Sequence, residues 1–371
     1  MRVLLIGNYI ADRQQSMIRY ANLVLAALVQ RGIEAQLMTP PIVVNRTHLP
    51  PEGLGRFVNY VDKMGIAPGL IRRHARWADV VHVCDHSNAY YVPERKAQPW
   101  VVTCHDMLAV RGSLGEATDC PATPMGRRLQ QMILRGLGRA NLIVPVSHYT
   151  GQDLHRILGP ARAIRVIPNA LNYPYEPLPA EATAARLGRW PDLATTPFIL
   201  HVGSNQARKN RETLIDAFAL LQADWPGDLA LAGPPLTPAL NARIARHGLG
   251  DRVRVLEHPT NQELHALYCA ATVFAFPSRF EGFGWPIAEA QACGCPVVTS
   301  DAEPMREVAG GAARLADPND AEALAAALFG LLQDPAERAR LVARGLENAR
   351  RFAPATMAER LVEAYTAALG A

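Results

Sequence analysis

"ATVFAFPSRFEGFGWPIAEAQACGCPVVTS", residues 271–300, changes structural type twice in one short run. Its apolar start, 271–278, reads as a buried strand, and "PVVTS" (296–300) reads as the next one. Between them a helix is expected from about Trp285, since Pro286 suits a first helical turn, where its missing N–H costs nothing. Gly282 and Gly284 let the backbone turn sharply and let a ligand approach closely. Strands crossed over by helices make a parallel sheet covered on both faces.

The same rhythm runs outward from this segment. "FILHVG" (198–203), "LALAG" (229–233) and "VRVLE" (253–257) precede it, and "AARLAD" (312–317) follows. In the first half, strands are expected at "RVLLIG" (2–7), "EAQLMTP" (34–40), "DVVHVC" (79–84), "WVVTC" (100–104), "NLIVPVS" (141–147) and "AIRVIPN" (163–169). Most have helical material between them, such as "SMIRYANLVLAALVQRG" (16–32), closed by Gly32. The Pro-rich "NYPYEPLPAEA" (172–182) interrupts the alternation and reads as an interdomain connection.

With 371 residues the chain exceeds one ordinary core and suits two domains. The expected fold class is α/β, with domains at 1–175 and 176–352 and a closing helix within 353–371. Ligands of such sheets sit beyond the carboxyl ends of the strands, and the natural place is between the two sheets.

Hydrophobic residues make up 49% and charged ones 19%, an ordinary balance that excludes disorder. A net charge of +4 permits an anionic small ligand or membrane surface but is too weak to indicate nucleic acid. The six cysteines are scattered without a CxxC pair, which implies reduced thiols; Cys293 and Cys295, one residue apart, lack the spacing of a zinc site. The N-terminal apolar run is too short for a signal segment, and no stretch approaches a membrane span. The expected location is cytoplasmic, with peripheral contact at the inner membrane face left open.

Two glutamates, Glu281 and Glu289, flank the glycine-rich helix start. That start offers free N–H groups and partial positive charge to a phosphate. Carboxylates repel phosphate but accept hydrogen bonds from hydroxyls. A ligand combining diphosphate with sugar hydroxyls meets both demands. The bland alternative makes Glu289 a surface charge near a helix N-terminus and Glu281 a loop residue.

Residues 277–320, "PSRFEGFGWPIAEAQACGCPVVTSDAEPMREVAGGAARLADPND", resemble the E-x7-E region of the GT4 retaining glycosyltransferases. "HVGSNQARKNRETLIDAFALL" (201–221) resembles that family's phosphate-binding segment, and "VVTCHDMLAVRG" (101–112) and "VPVSHYTGQDL" (144–154) are the most similar pieces of the first half. The resemblance implies a GT-B architecture, two Rossmann-like domains with parallel sheets facing across a cleft. It implies that Glu281 contacts the donor sugar, Glu289 the ribose, and the backbone at Gly282, Phe283 and Gly284 the sugar and phosphates. Arg208 and Lys209, with Gly203 at the preceding strand end, would serve the diphosphate; fixed cations stabilise a departing nucleoside diphosphate. His105, followed by Asp106, would reach the donor sugar or the acceptor from the N-terminal domain, although a strand-end histidine alone is often structural.

The chain departs from the family's pattern in the loop "GNYIADRQQS" (7–16), which has a single glycine, Gly7, where many relatives have a pair. No D-x-D occurs, so no metal or other cofactor is expected, and Lys and Arg supply the charge. The implied reaction moves a hexose, with mannose favoured, from GDP-mannose or a UDP-hexose to a hydroxyl of a glycan or lipid-linked acceptor. Alternatives are a sugar-nucleotide epimerase or phosphorylase on the same fold, and a non-catalytic carbohydrate- or nucleotide-binding protein. Arg128, Arg135 and Arg139 share one face of an expected helix at 125–140 and, with "RRHAR" (72–76), could draw an anionic lipid surface. The amphipathic 353–369 is expected to cross back onto the N-terminal domain.

Overall fold

The computed structural model describes residues 1–46, 49 and 53–370. The chain divides into two compact units, Met1–Asn172 with Ala353–Ala371, and Tyr173–Phe352.

The first unit holds a parallel sheet of β1 (Arg2–Ile6), β2 (Glu34–Met38), β3 (Val80–Val83), β4 (Trp100–Cys104) and β5 (Leu142–Pro145), in the order β2-β1-β3-β4-β5. β3, β4 and β5 are buried along their whole length, which explains their unbroken apolar sequences. The segment 163–169 is a correction to the expected sixth strand. Three backbone bonds, such as Arg165 N–H to the Ile143 carbonyl at 3.0 Å, run it beside β5, yet only Ile143 and Ile164 pair as a bridge. Pro145 and Pro168 have no N–H, so the ladder cannot lengthen there.

Helix Pro354–Leu369 completes this unit, burying Met357, Leu361, Ala364, Tyr365 and Ala368. The Tyr365 hydroxyl lies 2.6 Å from His82 Nδ1, and His82 Nε2 lies 2.7 Å from Thr103 Oγ1. Hydroxyls thus meet both nitrogens of a fully buried imidazole, and burial lowers its pKa to about 3.

The second unit has a parallel six-stranded sheet of β6 (Phe198–Val202), β7 (Asp228–Gly233), β8 (Val253–Glu257), β9 (Val273–Phe276), β10 (Val297–Ser300) and β11 (Arg314–Ala316), in the order β11-β10-β9-β6-β7-β8. Every strand expected in this half is present. Strand order reverses between β6 and β9, which pair through Ile199 with Val273 and Leu200 with Phe274. A reversal parts the two crossover connections and opens a crevice beyond the strand ends. In the first unit the equivalent point lies between β1 and β3.

His201 on β6 is a second fully buried imidazole, again lowered to about 3, chiefly by burial. For both histidines the pKa in the fold is below the ordinary 6.5, so the unfolded chain takes up the proton first. Their stabilising contribution is therefore complete above pH 6.5 and is lost as pH falls toward 3. Each should add a slope of about 1.4 kcal/mol per pH unit between those limits. Melting temperatures are expected to hold between pH 7.5 and 6.5 and to fall from there to pH 5, and His82→Gln to flatten that fall. Equal melting temperatures across the range would refute the assignment.

Candidate active site

The loops after β6 and β9 meet at the second unit's crevice. After β6 comes Gly203, then a short turn, Ala207–Lys209, and helix Arg211–Leu221. After β9 the chain passes through Glu281 to Gly284, which at φ 104 caps helix Trp285–Ala292. Only glycine adopts that conformation without strain, and it lets the helix begin directly at the loop. The helix starts at Trp285 with Pro286 in its first turn, as the sequence indicates.

Asn210 ties the loops together from a left-handed conformation, φ 58. Its side-chain amide donates to the carbonyls of Pro277 (3.0 Å) and Pro318 (2.5 Å). Arg208 Nη1 donates to the Phe280 carbonyl at 3.1 Å, and Arg279 N–H donates to the Arg208 carbonyl at 2.8 Å.

Within this frame Glu281, Arg208 and Lys209 form a triad. Glu281 Oε1 lies 2.6 Å from Lys209 Nζ and Oε2 lies 2.7 Å from Arg208 Nη1. Burial alone would raise the Glu281 carboxyl, but Lys209 and Arg208 outweigh it and hold it below its usual range. Burial lowers the Lys209 ammonium, against the attraction of Glu281. Mutual pairing is what keeps such buried charges ionised.

Arg211, three per cent exposed, stands behind the triad. It donates to the carbonyls of Gly203 (2.6 Å) and Ala232 (2.9 Å) and to Asn205 Oδ1 (2.6 Å), all neutral oxygens. Its Nε has no partner among the described residues, and burial lowers its pKa to about 10. Behind the triad there is therefore a buried positive charge with no carboxylate paired to it among the described residues. Sequence reading passed over Arg211, which stands between two polar residues at a helix start.

Glu289 is six per cent exposed, so it is no surface charge. Its Oε2 accepts the Tyr268 hydroxyl at 2.8 Å. Tyr268 was also missed, because a tyrosine within an apolar helix reads as core. Phe283 is buried and packs edge-on against Phe352 at 5.4 Å. Gly203 is needed for space: an added Cβ would lie 3.0 Å from His201 Nε2.

The remaining expected residues belong to the first unit. His105 follows β4, seven per cent exposed, with Nε2 2.9 Å from the Cys84 carbonyl, a bond that requires the hydrogen on Nε2. Burial lowers this ring, against Asp85, so it stays neutral and Nδ1 is left as an acceptor. Asp106 accepts the N–H of Leu108 at 3.0 Å and so shapes the turn after β4. Gly7 ends β1, where a Cβ would press on Leu37 and Thr39 at 3.2 Å.

Beyond the β1 and β3 ends lies a pocket of about 470 Å³ whose walls include Gln14, Tyr60, Asn88 and Gln130. Among the described lining residues only Asp12 and Lys63 are charged, and they pair with each other at 2.6 Å. Lys63 Nζ also sits 4.9 Å from the Tyr60 ring centre, while the Gln130 side-chain carbonyl is buried without a partner among the described residues. Sequence reading had no signal for this pocket, since its described walls come from five separated segments.

The family model described as glycosyl transferases group 1 matches residues 190–348, and that described as glycosyltransferase family 4 matches 18–173. An O-antigen chain mannosyltransferase B of Escherichia coli is 30% identical over 88% of this chain and 86% of its own length. A D-inositol 3-phosphate glycosyltransferase of Xylanimonas cellulosilytica is 31% identical, over 92% and 89%. This chain belongs to the GT4 glycosyltransferases. The GT-B fold of this GT4 enzyme is shared with sucrose-phosphate synthase of Thermosynechococcus elongatus, at TM-score 0.79, 23% identity and 100% and 99% coverage. Anabaena HepE, solved in complex with UDP and glucose, matches at TM-score 0.74, 20% identity and 99% and 100% coverage. No helix among the described residues is long and apolar enough to cross a membrane.

Proposed function

We propose that this GT4 enzyme moves a hexose, with retention, from a nucleoside-diphosphate sugar to a hydroxyl of a neutral glycan, and that mannose from GDP-mannose is the favoured donor. The observation that carries the reading is the triad of Glu281, Arg208 and Lys209 backed by the unbalanced Arg211. Cations stabilise the departing diphosphate without a metal. Glu281 offers its carboxylate to the transferring sugar, and Glu289, fixed by Tyr268, holds the ribose. His105, a neutral acceptor, binds a hydroxyl and moves no proton. The leaving phosphate itself takes the acceptor proton as the new bond forms on the same face. Support for mannose comes from the mannosyltransferase relative.

The charge balance of the first unit's pocket supports the acceptor class. A phosphomonoester carries close to two negative charges, whereas Lys63 and Asp12 cancel and leave the described lining without net positive charge. Amides and an aromatic wall suit uncharged hydroxyls. A phosphorylated acceptor, of the kind named in the second relative, fits this pocket poorly.

A thermal-shift panel of GDP, UDP, ADP and dTDP with their sugars tests the donor. A ligand at 100 times its Kd stabilises by about 2.7 kcal/mol, and GDP with GDP-mannose is expected to lead. No shift from any nucleotide would overturn the reading. Transfer to methyl α-mannoside but not to inositol 3-phosphate is the outcome expected for the acceptor.

Glu289→Gln and Tyr268→Phe are expected to raise donor KM several-fold with a smaller change in kcat, because the ribose contact is made before and during reaction. Steady-state kinetics with nucleotide titration measures both. We also propose that exposed Arg72, Arg73, Arg76, Arg128 and Arg135 draw the enzyme to anionic lipid. Liposome sedimentation without dependence on anionic lipid would dispose of that contact.

A further inference from the structure

Two cysteines far apart in sequence meet beneath the second unit's crevice. Cys269 lies in the last turn of helix Asn261–Ala270, and Cys293 closes helix Trp285–Ala292. With His265, one turn before Cys269, their sulfur and nitrogen atoms lie within 4.8 Å of one another. Cys295, the neighbour of Cys293 in sequence, takes no part in this group.

The group has the composition of a soft-metal site, but its histidine is already engaged. His265 Nδ1 lies 3.2 Å from Arg186 Nη1, and a guanidinium can only donate, so Nδ1 is the acceptor. Nε2 then carries the hydrogen and donates to the Glu176 carbonyl at 2.6 Å. A metal would have to break one of these bonds and sit beside a permanent positive charge. What remains is a pair of thiols.

Their environments differ in a useful way. Cys269 is half-buried, while Cys293 is four per cent exposed. A hydrogen bond from the Cys293 thiol holds Cys269 below its ordinary range despite partial burial, helped by the Leu178 N–H and the Arg186 charge. Burial pushes the Cys293 thiol up, with the Cys269 sulfur adding to the effect. A half-buried thiol that ionises more readily than usual, packed against a buried one that ionises less readily, is the arrangement of an attacking and a resolving cysteine.

Both helix ends also connect to Glu289, one through its carboxylate and one through its main chain. Tyr268, adjacent to Cys269 in the chain, donates to Glu289 Oε2, and the Cys293 N–H donates to the Glu289 carbonyl at 3.1 Å. Movement of the two helix ends therefore reaches Glu289 through one bond from each side.

We propose that Cys269 and Cys293 are a thiol-exchange site that closes to an internal disulfide on reaction with a small oxidised thiol, and that closure weakens nucleotide binding through Tyr268 and Glu289. The Cys269 thiolate attacks the small disulfide, forming a mixed disulfide and expelling one thiolate. Cys293, giving up its proton, attacks the Cys269 sulfur and expels the second. Two protein thiols are oxidised by two electrons, and the small disulfide leaves as two thiols. Disulfide geometry brings the sulfurs from within 4.8 Å to about 2.05 Å and fixes the Cβ atoms about 3.8 Å apart, so closure constrains the two helix ends against each other. The thiol chemistry stands independently of the proposed function, and only its effect on nucleotide rests on that reading.

The experiment treats reduced full-length protein with glutathione disulfide, maps the products by intact mass and peptide mapping, and titrates GDP and UDP before and after. Wild type is expected to gain a Cys269–Cys293 link, Cys293→Ser to stop at a mixed disulfide on Cys269, and Cys269→Ser to form neither. Nucleotide affinity of the linked form is expected to fall about fivefold and to return on reduction. Absence of the link, or zinc that co-purifies and protects both thiols until chelated, would overturn the site. A link with unchanged affinity for a nucleotide that binds would overturn the coupling. If neither form binds any nucleotide, the proposed function fails, while the peptide map still decides the thiol site.

Discussion

Glu281→Gln is expected to lower kcat by about 10²–10³ while the protein still binds nucleoside diphosphate. The carboxylate matters most when positive charge develops on the transferring sugar, and an interaction stronger in the transition state acts on kcat. The triad adds a sharper expectation. Glu281 engages both cations, at 2.7 and 2.6 Å, and under the proposed function it competes with the diphosphate for them. Removing its charge while keeping its shape frees Arg208 and Lys209, so nucleoside-diphosphate affinity should hold or tighten. Kinetics and nucleotide titration of the folded variant, alongside Glu289→Gln, decide the matter. Normal turnover, or binding far weaker than that of Glu289→Gln, would show that the roles are wrongly assigned.

Gly233→Ala should be the most damaging single methyl group in the second unit. A Cβ there would stand 2.1 Å from the Gly203 carbonyl oxygen and 2.8 Å from Arg211 Nη2, on a backbone at φ +146. The first of these neighbours is main chain, so the strand and the Gly203 loop must part. About 3 kcal/mol is expected, or roughly 6–12 °C of melting temperature for a unit of this size. Gly248→Ala is the matched control, since it also has positive φ (+66) but nothing within 4 Å of the new methyl. That variant should lose only about 1–2 kcal/mol of backbone strain. Equal melting of the two variants would mean that the crowding against Gly203 has no weight.

Both predictions depend on the crevice, and the sequence shows only part of it. The sheets are legible because the inner strands are apolar runs buried on both faces, while the edge strands β2, β8 and β11 are partly exposed; "ATVFAFPS" with its proline-started helix is of the first kind. Segment 163–169 has the same composition, but its pairing is limited by prolines, one of which lies on the partner strand. Glu281, Arg208 and Lys209 were legible as chemistry, but not as one triad, because their meeting depends on β6 and β9 being neighbours. Local pattern carries no information about that adjacency. Arg211 and Tyr268 were hidden for the converse reason. Each has an ordinary local explanation, and only burial without a balancing charge, or a carboxylate 2.8 Å from the hydroxyl, sets it apart.

Helix Pro354–Leu369 belongs to the first unit although it is made after the second. Protein synthesis runs from one end, and domains ordinarily fold in the order in which they emerge. Here the order of completion is inverted. Residues 173–352 form a continuous unit that can finish folding while the chain is still growing. The first unit must wait for Leu361, Ala364 and Tyr365, with His82 and Thr103 lacking their cover until that helix has emerged from the ribosome. A nascent chain stalled before residue 354 should therefore present a protease-resistant second half and a protease-sensitive first half, the reverse of the usual vectorial pattern.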